Sequence, residues 1–454
     1  MRKLSCLLLA ACATGSLSAQ QTPDSKAVGL QEVMTRLDRL EAQNRDLMAE
    51  IKALRLELAA SQPAFPSAPQ TAEAEAPPQP LAERVDVTER RIADLDQSKI
   101  SSDHRLPVTL TGMLLFNTFL NGKGSGGADN PTVLPPNGGQ ASGGATFRQS
   151  VIGLKVDGPG LIGGGKLTGA AYMDFFGGGT GLNQTVRLRV ATLDATWKNT
   201  TLGLAFDKPI IAPREPDSLA QVGFSPLTAA GNLWLWQPQV RVEQRISLSE
   251  QAGLRAQFGV YQTSESGTGL SGEYPDLARA RPGYQGRFEF WAKSGSRRIE
   301  IAPGFHVSST RVLGQSVPSR IFSIDWLIRP AARIDFTGTF FHGENTGVIG
   351  GLRQGVNVIN GQAHAVGATG GWGQFTFRAT RRASFNVYGG QEDDRNRDLS
   401  LGGIGKNQGY GANIIYRLGS NILTSFETSQ MRTTYLGSRT VINPHYDLAF
   451  AYLF

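Results

Sequence analysis

From about Leu106 to the last residue of the chain, apolar and polar side chains alternate at a period of two. Successive side chains of a strand point to opposite faces, so such a run describes a ribbon with one greasy and one wet side. In residues 239–248, Val240, Val242, Ile246 and Leu248 share one face, while Gln239, Arg241, Glu243, Arg245 and Ser247 share the other. Residues 255–261, 287–293 and 333–337 repeat the scheme. Little helical periodicity separates these runs, so the region is all-β.

Alternation by itself also fits a soluble sandwich, and loop lengths separate the two. Sixteen strand-length segments begin near residues 107, 145, 163, 185, 200, 237, 252, 283, 296, 319, 331, 369, 382, 406, 421 and 438. Their connections alternate. Residues 121–144 and 207–236 are long, whereas Asn199 and residues 249–251 sit in tight turns. Further on, Ser294-Gly295, Pro330 and Arg381 mark tight turns, and 263–282, 344–368 and 393–405 are long. Short turns on one rim and long loops on the other characterise an outer-membrane barrel, and a Greek-key sandwich has no reason for them. Tyr446, Leu448, Phe450, Tyr452 and Phe454 end the chain at period two, a pattern that resembles the last-strand signal read by the barrel assembly machinery. That machinery is therefore an expected partner through Phe454.

Residues 106–454 are read as a 16-stranded antiparallel transmembrane β-barrel, large enough to leave an aqueous lumen. The slightly negative mean hydropathy and the lack of a run of about 18 apolar residues do not oppose this. Alternation halves the apparent hydrophobicity of a lipid-facing wall.

The N-terminus reads as an export address. Met1-Arg2-Lys3 is a positive n-region, Leu4 to Ala13 is a short apolar run, and Leu17-Ser18-Ala19 offers a cleavage site, giving a signal peptide over 1–19. Leu9-Ala10-Ala11-Cys12 also resembles a lipoprotein signal, which leaves acylation of Cys12 as the alternative. Both cysteines, Cys6 and Cys12, lie in this segment, so no disulfide framework or Cys-based metal site is expected beyond it.

Leu30, Val33, Leu37, Leu40, Asn44, Leu47, Ile51, Leu54 and Leu58 follow a 3-4 spacing, predicting an α-helical coiled coil over 28–60 whose partner is another copy of the chain. Residues 61–80 hold six prolines and five alanines and form a linker. Leu81, Val85, Thr88, Ile92 and Leu95 predict a short helix over 81–100.

Charge suggests what the lumen does. Residues 1–100 carry 12 Lys and Arg against 14 Asp and Glu, which leaves 33 against 24 from residue 101 onward, and 26 of those 33 cations are arginine. A guanidinium pairs two oxygens of a carboxylate or phosphate at once. Strand parity places Arg187, Arg189, Arg241, Arg245, Arg255, Arg287, Arg298, Arg333 and Arg378 inward, because a charge on the lipid face costs roughly 2–4 kcal/mol near the midplane. The competing reading is a structural ladder in which Glu243, Glu289, Glu300 and Asp335 neutralise many of them. Arg187 and Arg189 have no carboxylate on their own strand face.

The longest connection, 207–236, with Lys208, Arg214, Glu215 and Asp217, is the candidate constriction loop; an external lid or subunit contact is the alternative. Trp234 and Trp236 are read as part of an interfacial aromatic girdle.

Gly160 to Lys166 matches most of a phosphate-binding loop, but Leu167 replaces the magnesium-binding hydroxyl and strand character follows, so a glycine-rich turn explains it. Glu392-Asp393-Asp394 with Arg395 reads as a solvated loop. The five histidines lack metal-ligand spacing and no Gly-x-Ser-x-Gly elbow occurs, so no enzyme activity, catalytic residue, metal or cofactor is expected.

Export signal, heptads, proline spacer and sixteen-strand barrel together resemble the DcaP-like family of trimeric outer-membrane porins. The heptad segment, Leu106-Pro107-Val108-Thr109-Leu110-Thr111-Gly112, Gln237-Pro238-Gln239-Val240-Arg241 and Phe454 carry the resemblance. It implies a homotrimer with periplasmic helices and a channel favouring small anions such as dicarboxylates; phosphate-type porins remain competitors. The expected surroundings are outer-membrane lipid and lipopolysaccharide, with no nucleic acid. A tether from the outer membrane to a periplasmic partner, built on the coiled coil, is the second reading.

Overall fold

The computed structural model describes residues 108–178, 184–263 and 281–454. The signal peptide 1–19, coiled coil 28–60, linker 61–80 and helix 81–100 lie outside the described residues, as do Leu106 and Pro107 of the first strand segment.

The strands are β1 Val108–Asn121, β2 Ser142–Thr146, β3 Val151–Leu161, β4 Gly165–Asp174, β5 Arg187–Thr196, β6 Thr200–Asp207, β7 Gln237–Ser247, β8 Ala252–Gln262, β9 Pro282–Ser294 and β10 Arg297–Val312. They continue as β11 Gln315–Ala331, β12 Ile334–Glu344, β13 Val356–Ile359, β14 Gln362–Ala365, β15 Gly367–Arg378, β16 Ala383–Asp394, β17 Ile404–Arg417, β18 Ile422–Tyr435 and β19 Thr440–Leu453.

β13 and β14 form a separate hairpin within a loop. β2 and β3 pair with successive stretches of β1 and together make one interrupted stave, so the wall has sixteen. Where that stave breaks, the Ser150 hydroxyl takes the place of a ladder carbonyl and accepts from the Leu115 N–H at 2.9 Å. β19 returns to β1 with Met113 opposite Leu453, and Gly112 and Phe454 exchange backbone bonds of 2.9 and 3.2 Å. The large sheet is closed, which leaves its wall without a free strand edge among the described residues.

The two faces are inverted relative to a soluble protein. Along β19, Tyr446, Leu448, Phe450 and Tyr452 are 47–55% exposed, while Asp447, Ala449 and Ala451 are 0–3% exposed. Val240, Val242, Phe288, Phe290, Phe336 and Phe375 repeat the outward apolar pattern around the wall. A continuous apolar outer band calls for lipid rather than water, which excludes the sandwich. Phe450→Arg is expected to destabilise the barrel by roughly 2–4 kcal/mol, read as a lower urea midpoint in lipid vesicles. A shift no larger than that of Thr440→Arg at the rim would contradict this placement of the band.

Turns 162–164, 197–199, 248–251, 295–296, 332–333, 379–382 and 418–421 share one rim. The Gly163-Gly164 pair of the apparent phosphate-loop motif sits in the first of them, at φ 74° and 75°, where glycine is favoured. The opposite rim carries the long loops but also two tight connections, 313–314 and 436–439. Leu313 and Gly314 both have positive φ (52° and 75°), as two-residue hairpins favour, so β10 and β11 run on as a tall hairpin and β11 begins at Gln315 rather than near 319.

Candidate functional site

The segment 208–236 crosses the inside of the barrel. Unladdered backbone buried there must find partners, and inward side chains from many strands supply them. The Ile210 N–H donates to the Tyr261 hydroxyl (2.9 Å) and the Ser323 hydroxyl donates to the Ile211 carbonyl (3.1 Å). Asn413 and Asn117 donate to the Asp217 and Leu219 carbonyls, each at 2.8 Å. Gln149 donates to the Ala220 carbonyl and accepts from the Val222 and Gly223 N–H groups. Ile210, Ile211 and Leu233 of the segment pack with Tyr261, Ile321, Phe341 and Ile349.

The four charged residues named on this loop have distinct partners. Arg214 donates to Asp325 (2.8 Å) and Glu300 (2.6 Å) on β11 and β10. Lys208 pairs with Glu215 at 3.2 Å, and Asp217 accepts from Gln374 at 2.8 Å. Partial withdrawal from water works to raise the Glu215 pKa, but Lys208, a hydrogen bond with Ser225 and Arg189 outweigh it, and the net shift is downward. Asp217 is shifted upward: its removal from water outweighs the Gln374 hydrogen bond and Arg378. Glu215 is thus the more persistent negative charge of the two.

The arginines expected on the wall form ion-pair networks. Arg287, 1% exposed, sets two bonds of 2.7 and 2.8 Å on Asp325 and one of 2.7 Å on Glu289, which also takes Arg255. Arg298 pairs with Glu300, and Arg329 and Arg378 share Asp335. Arg241 lies 2.9 Å from Asp207 and 3.7 Å from Asp194, and Arg245 lies 2.7 Å from Glu243.

Arg187 and Arg189 have no carboxylate on their own strand face but meet one from the adjacent strand: Asp174, in register with Arg187, pairs with them at 2.7 and 3.0 Å. Other expectations need correction. Arg333 is not on a wall strand; it occupies the two-residue turn 332–333, and no carboxylate partners it among the described residues. Trp234 and Trp236 do not form a girdle, because loop 208–236 carries them inward. Their rings lie 4.5 Å apart, Trp234 packs on Phe224, and Arg187 and Arg189 stack over Trp236 at 4.8 and 5.1 Å.

The acidic run also differs from a solvated loop. Glu392 and Asp394 end β16 facing inward and buried, where Glu392 accepts from the Thr346 hydroxyl and the Leu352 N–H and Asp394 accepts from Gln354. They dock loop 345–366.

With loop 208–236 bound to β1, β10, β11, β15, β17 and β18, and to the start of β5 where Arg187 and Arg189 donate to the Gly223 and Val222 carbonyls, open space remains along the rest of β4–β8. A cavity of about 320 Å³ there is lined by Asp194, Arg241, Glu243, Arg245 and Gln257 among others. Strand alternation adds Lys155 on β3 to the inner face, between outward Leu154 and Val156, together with Lys166 and Asp157, which pair at 2.7 Å. The sequence reading passed over these lysines, although the same parity rule would have placed Lys155.

A closed sixteen-stranded barrel with an apolar outer band and a loop folded across a charged interior defines the outer-membrane porin fold. No protein-family profile and no curated protein matches the sequence. Among solved structures, the chain is similar to the outer-membrane channel DcaP of Acinetobacter baumannii, with TM-score 0.62 and 15% identity over 76% of this chain and 97% of that one. An anion-selective porin from Comamonas acidovorans gives 0.51 and 11% over 76% and 99%. OprB of Pseudomonas putida gives 0.51 and 9% over 77% and 94%. These likenesses establish the fold.

Proposed function

We propose that this chain is an outer-membrane porin passing small hydrophilic solutes, with a weak preference for anions of the dicarboxylate or phosphate type. The observation that carries the reading is a loop bound across the lumen beside a remaining slot edged by charge. Lys155, Lys166, Arg241, Arg245 and Arg255 face it against Asp157, Asp194 and Glu243. The preference is weak because most of these cations already hold a carboxylate, so little net field is left for a passing ion. The neutralised ladder and a selective pore are thus the same residues acting together.

In this reading the heptads of 28–60 stand in the periplasm and hold a homotrimer, and the apolar band sits in outer-membrane lipid with lipopolysaccharide on the long-loop side. Reversal potentials across planar bilayers in a potassium chloride gradient test the selectivity. A modest chloride preference is expected, increasing in the double variant Asp157→Asn, Glu243→Gln; cation preference in the unaltered protein would defeat the proposal.

A further inference from the structure

On the long-loop side of loop 208–236 lies a second, larger cavity of about 610 Å³, enclosed by three loops: 122–141, 208–236 and 345–366. Its volume falls in the range of small-molecule sites, roughly 300–1,000 Å³. Most of its lining is apolar or bare backbone, including Val133, Phe224, Trp234 and Leu352. Two polar side chains stand out. Arg353 is exposed and meets no carboxylate among the described residues, unlike Arg241 and Arg245 in the slot below. Asn130 makes no side-chain hydrogen bond to any described residue, and its Oδ1 is buried.

A buried amide oxygen without a partner is costly, and turning the half-buried Asn130 side chain presents either an acceptor oxygen or two N–H donors. A guanidinium without a counter-charge offers the fork that fits a carboxylate. The remaining wall rewards an apolar body and would stay uncovered around an inorganic anion.

We infer that this vestibule binds an amphipathic organic carboxylate, its head group on Arg353 and Asn130 and its apolar body against the partly exposed Val133, Phe224 and Leu235, next to Trp234. The inference rests on the porin reading, of which it names a capture step ahead of the slot. Phe224 lines the vestibule, and Arg187 of β5 stacks over its ring at 5.2 Å.

The test uses the full chain in detergent micelles, titrated with cyclohexanecarboxylate, acetate or inorganic phosphate and followed by tryptophan fluorescence, because Trp234 forms part of the wall. Cyclohexanecarboxylate is expected to saturate at a concentration at least about tenfold lower than acetate, from burial of its ring. Arg353→Ala should weaken it about tenfold or more, with Arg353→Lys in between. Arg353 has no partner to lose, so the variant should keep the heat-resistant gel mobility of the folded barrel. Equal saturation by acetate and cyclohexanecarboxylate, or an unchanged Arg353→Ala titration, would overturn the inference. Bilayer conductance measured on the same preparation separates the two readings: a conducting channel without this binding defeats the vestibule alone, and binding without conduction defeats the porin.

Discussion

Replacing residues 212–223 by a short glycine–serine bridge is expected to raise single-channel conductance about two- to fourfold, because a sixteen-strand barrel without an internal loop leaves a wide aqueous channel. The segment is tied to opposite walls, through Arg214 to Glu300 and Asp325 and through Ser218 to Glu427. The strands themselves depend on ladder bonds and the outer band, so the barrel should still assemble. The anchoring amides Asn117, Gln149 and Asn413 would face lumen water instead of loop carbonyls. Selectivity should also weaken as the slot widens and charges act at greater range. Planar-bilayer recordings in potassium chloride provide the measurement. A conductance equal to that of the intact chain would place the narrowest point elsewhere, with the loops around Leu352 as the next candidate.

The second large effect concerns stability. Asp325 is fully buried and accepts from Arg287 twice and from Arg214 once. Asp325→Ala leaves Arg287, itself almost without solvent contact, holding a charge with only Glu289 to balance it. Breaking a buried pair from one side typically costs 3–5 kcal/mol, and about that loss is expected in urea unfolding from lipid vesicles. The double replacement Arg287→Leu, Asp325→Leu should recover much of it, since removing both charges also removes the desolvation cost. A single variant as stable as the parent would show that lumen water reaches Arg287 and solvates it. Because Asp325 also holds Arg214, the single variant should loosen loop 208–236 and show noisier current.

Much of the wall is legible in the sequence. The outward position of Val240, Val242 and Phe288 and the inward position of Arg241 and Arg287 follow from parity, and β19 shows the same rule residue by residue. The tight turns at Asn199, Ser294-Gly295 and Arg381 lie on one rim for the same reason, as each ends a period-two run. The β10–β11 connection was harder to see, because Leu313 occupies a positive-φ position that its residue type does not announce.

The interior was less legible. Asp174 meets Arg187 and Arg189 only because strand register sets β4 beside β5, a long-range pairing absent from either strand's own pattern. Trp234 and Trp236 look like membrane anchors by type, yet the loop that carries them is held inside by amides scattered from Asn117 to Asn413. Those amides have no local signature, since a single inward Asn or Gln on a strand is common.

Sequence alone determined which side of each strand is apolar, because a period of two acts over neighbouring residues, and its alternation of short and long connections pointed to a barrel instead of a sandwich. Tertiary structure alone decided which arginines keep free charge, which loop fills the lumen and where open space remains. Those outcomes depend on distances between residues often more than a hundred positions apart, and electrostatic and hydrogen-bond energies are set by such distances rather than by order along the chain.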